Sequence, residues 1–255
     1  MSTAKVRSCA SAQSVRRETW KMHLCLEFAG HTDVVTDIRF SHTDSNLLYT
    51  SSIDETIRYN TTFPSKIIHP LSFHLPGYES SGNRFLSCDI SAMDALLCAG
   101  TECDESSKDA LIVFWDVRMK NATGTFTDSH SDHITQVRFH PSHFHKMASG
   151  SVDGLVCLFD LREQGEDNAI TQILNAESSV NQIGWCKRDG MDSIYCTTSI
   201  ETMYVWNEEV RKKCDGGEKR IIYPLSIFSP ISGHTQKVII STPSNVFLLS
   251  GRYAE

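Results

Sequence analysis

The sequence lacks any apolar run of about 18 residues, the length that a membrane-spanning helix requires. Its N-terminal segment, MSTAKVRSCASAQSVRRETW, also lacks the apolar core of a secretory signal. We therefore expect a soluble protein without a membrane partner, which stays inside the cell in the cytoplasm or the nucleus.

Proline and glycine are sparse, at 7 and 14 of 255 residues, which excludes collagen-like and low-complexity chains. The 9 cysteines are odd in number and never spaced as C-x-x-C, so they predict reduced thiols rather than disulfides. Basic residues are fewer than acidic ones: 24 Lys and Arg and 31 Asp and Glu give a net charge of -7. This balance disfavours nucleic acid as a partner and leaves proteins as the expected partners.

Sequence patterns of known catalytic and phosphate-binding loops are missing, including G-x-S-x-G, the P-loop, G-x-G-x-x-G and H-E-x-x-H. We expect no catalytic residue, no cofactor and no small-molecule substrate. An enzyme built on the same scaffold is kept as the least favoured alternative, because function must be argued from a site and not from a fold.

The sequence does contain internal repeats. The segment 35–59, VTDIRFSHTDSNLLYTSSIDETIRY, aligns without a gap with 134–158 at an offset of 99 residues. DALIVFWDVR at 109–118 aligns with DGLVCLFDLR at 153–162 at an offset of 44. A fourth copy follows at 180–185 and 204–207. A unit of about 44 residues is the length of a repeated supersecondary structure.

Each unit shows short apolar runs of period 2, rich in Val, Ile and aromatic residues and separated by turn residues. This pattern predicts three or four antiparallel strands per unit. The one short segment with helical character, 208–213, is interpreted as a loop. Because a four-stranded unit cannot bury its faces alone, the units must stack on one another.

The repeats resemble those of the WD-repeat (WD40) β-propeller family. The resemblance lies in a Gly-His opening, an Asp in a tight turn and a Trp-Asp ending, here Gly30-His31, Asp54 and Trp115-Asp116. It implies an all-β fold, a WD40-type propeller of four-stranded antiparallel blades. About four blades are legible, with partial ones beside them. A closed seven-bladed ring needs roughly 300 residues, so we expect an open or incomplete ring, with a compact ring of four or five blades as the alternative.

The domain organisation follows from these units. We expect a flexible N-terminal tail at 1–19, propeller blades over 20–210, a polar and basic linker at 211–220 and part of a further blade at 221–255. Within 20–210 the blades are placed at 30–61, 77–118, 129–162 and 176–207, with 20–28 as an outer strand.

The resemblance also implies a buried hydrogen-bond network inside each blade, made by a His, an Asp, a hydroxyl and a Trp indole. No blade has the full set. Asn60 stands at the Trp position of the first blade and Phe159 at that of the third, and the fourth has Ile200 or Glu201 in place of the Asp. The residues assigned to these networks are His31, Asp54, Asp109, Trp115, His130, Asp153 and Trp206.

Five histidines lie close together in the sequence, and three of them have the spacing His-x-x-His-x-His. The repeat already explains two of the five, His130 as part of the opening motif and His140 as the start of a turn. A metal site would need convergent side chains and supporting partners, so we predict none here. The five are His130, His133, His140, His143 and His145.

The function expected of this architecture is a non-catalytic protein-interaction scaffold. Arg118 and Arg162 end two blades in the pattern aromatic-Asp-x-Arg, which resembles a box in WD-repeat substrate receptors of cullin-4 ubiquitin ligases. That resemblance implies a ubiquitin-ligase adaptor as an alternative partner. The acidic insertion with Glu102, Asp104 and Glu105 is the other candidate partner-binding segment, because insertions in repeat proteins map to loops of a binding face.

Overall fold

The computed structural model describes residues 3–6, 26–61, 71–73, 84–103, 110–119, 121–188, 190–207, 221–222, 226–228, 235–242 and 245–252. The regular secondary structure of these residues is almost entirely β-strand, which confirms the predicted all-β fold. Strands β1 (Thr3–Val6) and β2 (Leu26–Ala29) pair antiparallel as a separate two-stranded sheet.

Four sheets follow in sequence order, which confirms the predicted fold of antiparallel blades. Blade 1 has strands β3 (Val35–Phe40), β4 (Leu47–Ser52), β5 (Ile57–Thr61) and β6 (Leu71–Phe73). Blade 2 has β7 (Phe85–Ile90), β8 (Leu96–Thr101), β9 (Ile112–Asp116) and β10 (Asn121–Phe126). In each blade every strand pairs antiparallel with the next one along the chain.

Blade 3 has β11 (Ile134–Phe139), β12 (Lys146–Ser151), β13 (Leu155–Asp160) and β14 (Ile170–Asn175), with a short helix α1 (Glu166–Ala169) before β14. Blade 4 starts with β15 (Val180–Arg188), β16 (Met191–Thr198) and β17 (Met203–Asn207). The chain next forms β18 (Ile221–Ile222), which pairs with β14 of blade 3, and then β19 (Ser226–Phe228), the outer strand of blade 4. Strands β20 (Thr235–Thr242) and β21 (Asn245–Arg252) form a hairpin.

A β-bulge occurs at the same place in all four blades, where the first strand begins to pair with the second. The pairing register shifts after Val35, Phe85, Ile134 and Val180. A bulge twists and bends the strand that carries it. The repeat detected in the sequence is therefore also a repeat of backbone geometry.

Three apolar cores lie between successive blades. The core between blades 1 and 2 includes Tyr49, Leu97 and Trp115, and the core between blades 3 and 4 includes Leu174 and Trp206. Because a blade is covered on both faces, successive residues of its middle strands are buried and do not alternate between apolar and exposed. This explains runs such as LIVFW at 111–115, whose residues are all buried.

Charged side chains join the first strands of blades 1, 2 and 3. Arg39 and Arg138 each lie 3.2 Å from the same carboxylate oxygen of Asp37. Asp89 accepts the backbone N–H of Phe139 at 2.6 Å. Burial raises the pKa of Asp89 although the two guanidinium groups oppose the rise. These contacts fix the blades in register, so the loops at the blade ends have defined relative positions.

Several elements differ from the sequence-based expectations. Strands β18 and β19 add to blades 3 and 4, whereas 221–255 was expected to be part of a further blade. Residues 3–6 form a strand where a flexible tail was expected, and the strand near 20–28 occupies Leu26–Ala29 and pairs with β1. Helix α1 was not expected, since four residues are too few to show a helical period. The segment 208–213, the linker 211–220 and the opening 77–83 of the second blade lie outside the described residues.

Candidate functional site

Blade 1 contains a four-membered hydrogen-bond network. His31 Nδ1 lies 2.9 Å from Asp54 Oδ2, and His31 Nε2 lies 2.8 Å from Thr50 Oγ1. Asn60 Nδ2 donates to the same Thr50 oxygen at 3.5 Å. Asn60, which the alignment placed at the Trp position, thus supplies the N–H that an indole would have donated.

Blade 3 repeats this network without the fourth member. His130 Nδ1 lies 3.0 Å from Asp153 Oδ2, and His130 Nε2 lies 2.6 Å from Ser149 Oγ. Asp153 also accepts the backbone N–H groups of Ser131 and Leu155. The carboxylate therefore ties the loop before β11 to the β12–β13 turn.

The order Asp153, His130, Ser149 is that of a Ser-His-Asp catalytic triad. Catalysis would require a substrate to reach the serine oxygen, and Ser149 is 0% exposed while His130 is 5% exposed. A hydroxyl sealed between strands cannot attack a substrate. The geometry thus supports a structural role for both networks.

Burial alone would raise the pKa of Asp54 and Asp153, but hydrogen bonds outweigh it and lower both. Thr56 and the backbone of Thr32 contribute most at Asp54, and His130 contributes most at Asp153. Burial disfavours the charged form of His130, yet the Cys157 sulfur and the Asp153 carboxylate raise its pKa. The contact between His130 and Asp153 therefore favours the protonated form of the imidazole and the ionised form of the carboxyl group.

Blades 2 and 4 carry the indole but lack the hydroxyl. Trp115 and Trp206 are each 1% exposed. By strand register, the position of Thr50 and Ser149 is held by Ala99 in blade 2 and by Cys196 in blade 4. The indole nitrogen of Trp206 is buried and has no hydrogen-bond partner among the residues that the structure describes. Asp109, the remaining predicted network residue, lies outside the described part of the chain.

A cluster of possible metal ligands lies between blades 3 and 4: His140, His143 and Asp192, whose ligand atoms are within 4.8 Å of one another. However, His140 Nδ1 accepts the backbone N–H groups of Ser142 and His143. The one proton of the neutral ring is then on Nε2, the atom that lies 3.5 Å from Asp192. A metal would need the lone pair at that nitrogen, so the cluster fits a polar link between blades better than a cation site.

The loops at one end of the blades are strongly acidic. This end comprises the loops that precede the first strands and the turns between second and third strands, and we call it the acidic loop end. Among its described residues the one Lys or Arg is Arg84, which lies 3.4 Å from Glu102. The acids at this end whose side chains are exposed or half-exposed are Asp33, Glu55, Glu102, Asp128, Asp132, Glu177 and Glu201.

Glu102 is thus the one predicted acidic residue that the structure places, because Asp104 and Glu105 lie outside the described residues. Glu55 and Glu201 were not expected as partner-binding candidates. Both have left-handed backbone angles, with φ of 65° and 61°, at the turn position that Gly154 holds in blade 3. Alignment with that glycine was the signal that could have found them.

Arg118 and Arg162 stand at corresponding points after the third strands of blades 2 and 3, and both are exposed. Arg162 donates to both carboxylate oxygens of Asp160, at 2.9 and 2.6 Å, and these bonds lower the pKa of Asp160 to about 2. The backbone N–H of Arg118 donates to Asp116. The structure therefore does not bring these arginines together with Glu102, which lies at the opposite end of the blades.

Repeated four-stranded blades with buried His–Asp–hydroxyl networks define the class of β-propeller repeat proteins. The model of the family "WD domain, G-beta repeat" matches residues 22–59 and 121–160. The chain carries WD40 repeats and is a WD-repeat protein. No helix in the described segments is both long enough and apolar enough to cross a membrane.

The curated relatives include WD repeat-containing proteins. WD repeat-containing protein GTS1 of Arabidopsis thaliana is 33% identical over 190 residues, 72% of this chain and 44% of the relative. WD repeat-containing protein 89 homolog of Dictyostelium discoideum is 28% identical, over 70% of this chain and 45% of the relative. Histone acetyltransferase type B subunit 2 of Candida glabrata is 23% identical, over 70% of this chain and 40% of the relative. The chain spans less than half the length of these relatives.

Proposed function

We propose that this chain is a non-catalytic scaffold for protein partners and that the acidic loop end receives a lysine- or arginine-rich segment of such a partner. WD-repeat proteins act generally as protein-interaction scaffolds. The observation that carries the finer proposal is the concentration of exposed carboxylates at one end, with a single arginine among the described residues there. Complementary charge steers partners and fixes their orientation.

Backbone strain at this end supports the proposal. A residue other than glycine at left-handed backbone angles destabilises the folded state by about 1 kcal/mol relative to glycine. Glu55 and Glu201 both have such angles. Blade 3 has Gly154 at the same position, so the turn itself does not need a carboxylate. Strain that a fold retains without a structural need points to function.

Two exposed apolar side chains lie at the same end. Val34 is 56% exposed and Ile200 is 60% exposed. The aliphatic stems of lysine and arginine pack on such surfaces while their charged heads reach carboxylates. A basic segment would therefore find both kinds of contact at the acidic loop end.

Assembly with other proteins also fits the relatives. One of them is named as a subunit of a histone acetyltransferase, and a subunit acts within a complex. The enzyme alternative is weaker, because the one Ser–His–Asp arrangement in the described blades is buried. A nuclear or cytoplasmic location is proposed with this role.

The test is binding of a fluorescent lysine-rich peptide, Gly-Lys-Gly-Lys-Lys-Gly-Lys-Lys-Gly, to the full chain at low and high salt. The double variant Glu55→Gly/Glu201→Gly should bind about threefold to tenfold more weakly, since each surface ion pair contributes about 0.2–1 kcal/mol. Its melting temperature should stay equal or rise, because glycine relieves the strained turns. Equal affinity for the wild type and the variant would overturn the proposal.

A matched control removes negative charge at the other end. Glu163 is exposed in the connection after β13, and Glu163→Gln should change neither the affinity for the peptide nor its salt dependence. A loss of affinity as large as that of the double variant would mean that net charge alone governs binding.

The second candidate is a contact with a ubiquitin-ligase adaptor through Arg118 and Arg162. The observation that favours it is the exposure of both arginines at corresponding points of neighbouring blades, and a guanidinium offers a planar fork of donors for such a contact. Pull-down with the adaptor should recover less of it with Arg118→Ala/Arg162→Ala than with the wild type. Equal recovery, or no recovery with either protein, would reject this candidate.

A further inference from the structure

The outer edge of blade 3 pairs with a fifth strand, which is not seen in the other blades over the residues that the structure describes. Its outer strand β14 pairs in parallel with β18, with Ile173 opposite Ile221 and Leu174 opposite Ile222. In the described part of the chain, the outer strands β6, β10 and β19 each end their sheet. Blade 3 therefore holds a fifth strand on an edge where the other blades show no described strand.

The route of the chain shows that β18 is an addition to blade 3. After β17 the chain leaves blade 4, pairs with β14 through two residues, and returns to form β19 of blade 4. Two residue pairs supply few hydrogen bonds, each contributing about 0.5–1.5 kcal/mol, and parallel pairing is slightly weaker than antiparallel pairing. A longer strand could compete with it for the same edge.

The side chains of β14 define what fits beside it. Ile173 packs against the core between blades 2 and 3, whereas Leu174 is buried in the core between blades 3 and 4. Neighbouring residues of an added strand point alternately to these two sides. Because both sides are apolar, the added strand needs two consecutive apolar residues, as an Ile-Ile pair provides.

We propose that the outer edge of β14 is a docking site for an extended segment of a protein partner, which adds to blade 3 as a parallel strand. Ile221–Ile222 occupies this edge as an internal strand until the partner displaces it. The partner segment is longer than two residues and contains two adjacent β-branched apolar residues. Main-chain hydrogen bonds provide the binding and the apolar pair provides the selectivity. This inference rests on the proposed function only in that the partner is a protein.

The probe is a neutral labelled peptide, Glu-Arg-Ile-Ile-Val-Thr-Ile-Glu-Lys, which is long enough to pair with all of β14. The full-length variant Ile221→Ser/Ile222→Ser should bind it at least about tenfold more tightly than the wild type, because a tethered competitor acts at millimolar effective concentration. Hydrogen exchange of the amides at 170–175 should become faster in the variant and slow again when peptide is added. A control peptide with serines in place of the Ile-Ile pair should bind neither protein.

Equal affinity of the two proteins for the peptide would overturn the inference, as would unchanged exchange at 170–175 or equal binding of the serine peptide. Unchanged exchange in β11, β12 and β13 verifies that the variant is folded, and Ile222→Ser alone should show an intermediate affinity. Binding of this neutral peptide should be the same in the Glu55→Gly/Glu201→Gly background. Failure of the lysine-rich peptide to bind would therefore reject the acidic loop end and leave the strand-docking site standing.

Discussion

Single residues divide the blades into two alternating kinds. Thr50 and Ser149 carry a hydroxyl at the position where blades 2 and 4 have Ala99 and Cys196. The blades with a hydroxyl also have the buried His and Asp, and the others have a buried tryptophan. Blade 1 replaces the indole donor with Asn60. In blade 4 the Trp206 indole has no hydrogen-bond partner among the described residues, and Cys196 stands where blades 1 and 3 have a hydroxyl.

Cys196→Ser should therefore stabilise the fold by about 0.5–1.5 kcal/mol, because the serine oxygen gives the Trp206 indole an acceptor. Urea unfolding followed by tryptophan fluorescence measures the change. In a Trp206→Phe background the same substitution should give no gain, since the donor is gone and a buried hydroxyl is left unpartnered. A gain of the same size in both backgrounds would show that the indole is not the partner.

The sequence predicted part of this residue-scale structure. The repeat offset aligned His31 with His130 and Asp54 with Asp153, and the structure brings each His to its Asp. Asn60 was interpreted as a defect because the alignment compares residue types and not donors. Asp192 carried no signal, since its contact with His140 exists only after neighbouring blades are packed together.

At the scale of elements, glycine permits the close approach of blades 3 and 4. A Cβ on Gly150 would lie 2.8 Å from both Ile183 Cγ2 and Val180 Cγ1. Gly150→Ala should destabilise the protein by about 1–3 kcal/mol, the usual cost of overpacking a core. Thermal unfolding tests this, with Gly124→Ala as the matched strand control, because a Cβ at Gly124 meets nothing within 4 Å. Equal melting temperatures for the two variants would contradict the packing argument.

The regular strands of the blades were easier to predict from the sequence than helix α1 and strand β18. Alternation and turn residues predicted the four-stranded blades, and the structure confirms them. Helix α1 and strand β18 were not predicted, because four and two residues are too short to show any period. The pairing of β18 also depends on the edge of β14, which lies about 50 residues earlier in the chain. The local sequence of β18 cannot predict that edge.

The whole molecule should lose stability in acid. The folded state lowers the pKa of Asp54 and Asp153, so the unfolded state binds more protons once the pH falls toward about 3.9, the ordinary Asp value. Stability from these groups is present above that value and is lost as the pH falls through the lowered folded values. The contribution of Asp54 and Asp153 to the urea midpoint should stay level from about pH 7 to 5 and drop below about pH 4.

The variant Asp54→Asn/Asp153→Asn isolates this contribution. It should be less stable than the wild type at neutral pH, and its urea midpoint should fall less steeply in acid. If both proteins lose stability in parallel below pH 4, other carboxylates account for the acid dependence.

Strand β18 also bears on the order in which the molecule can assemble during synthesis. In blades 1 and 2 every described pairing joins strands that follow one another in the chain, so each blade can form as soon as its own residues have emerged. The edge of blade 3 waits for residues 221–222, and blade 4 waits for 226–228. The nascent chain therefore spends an interval with β14 uncovered beside two finished blades, and in that interval a strand from another molecule meets no internal competitor.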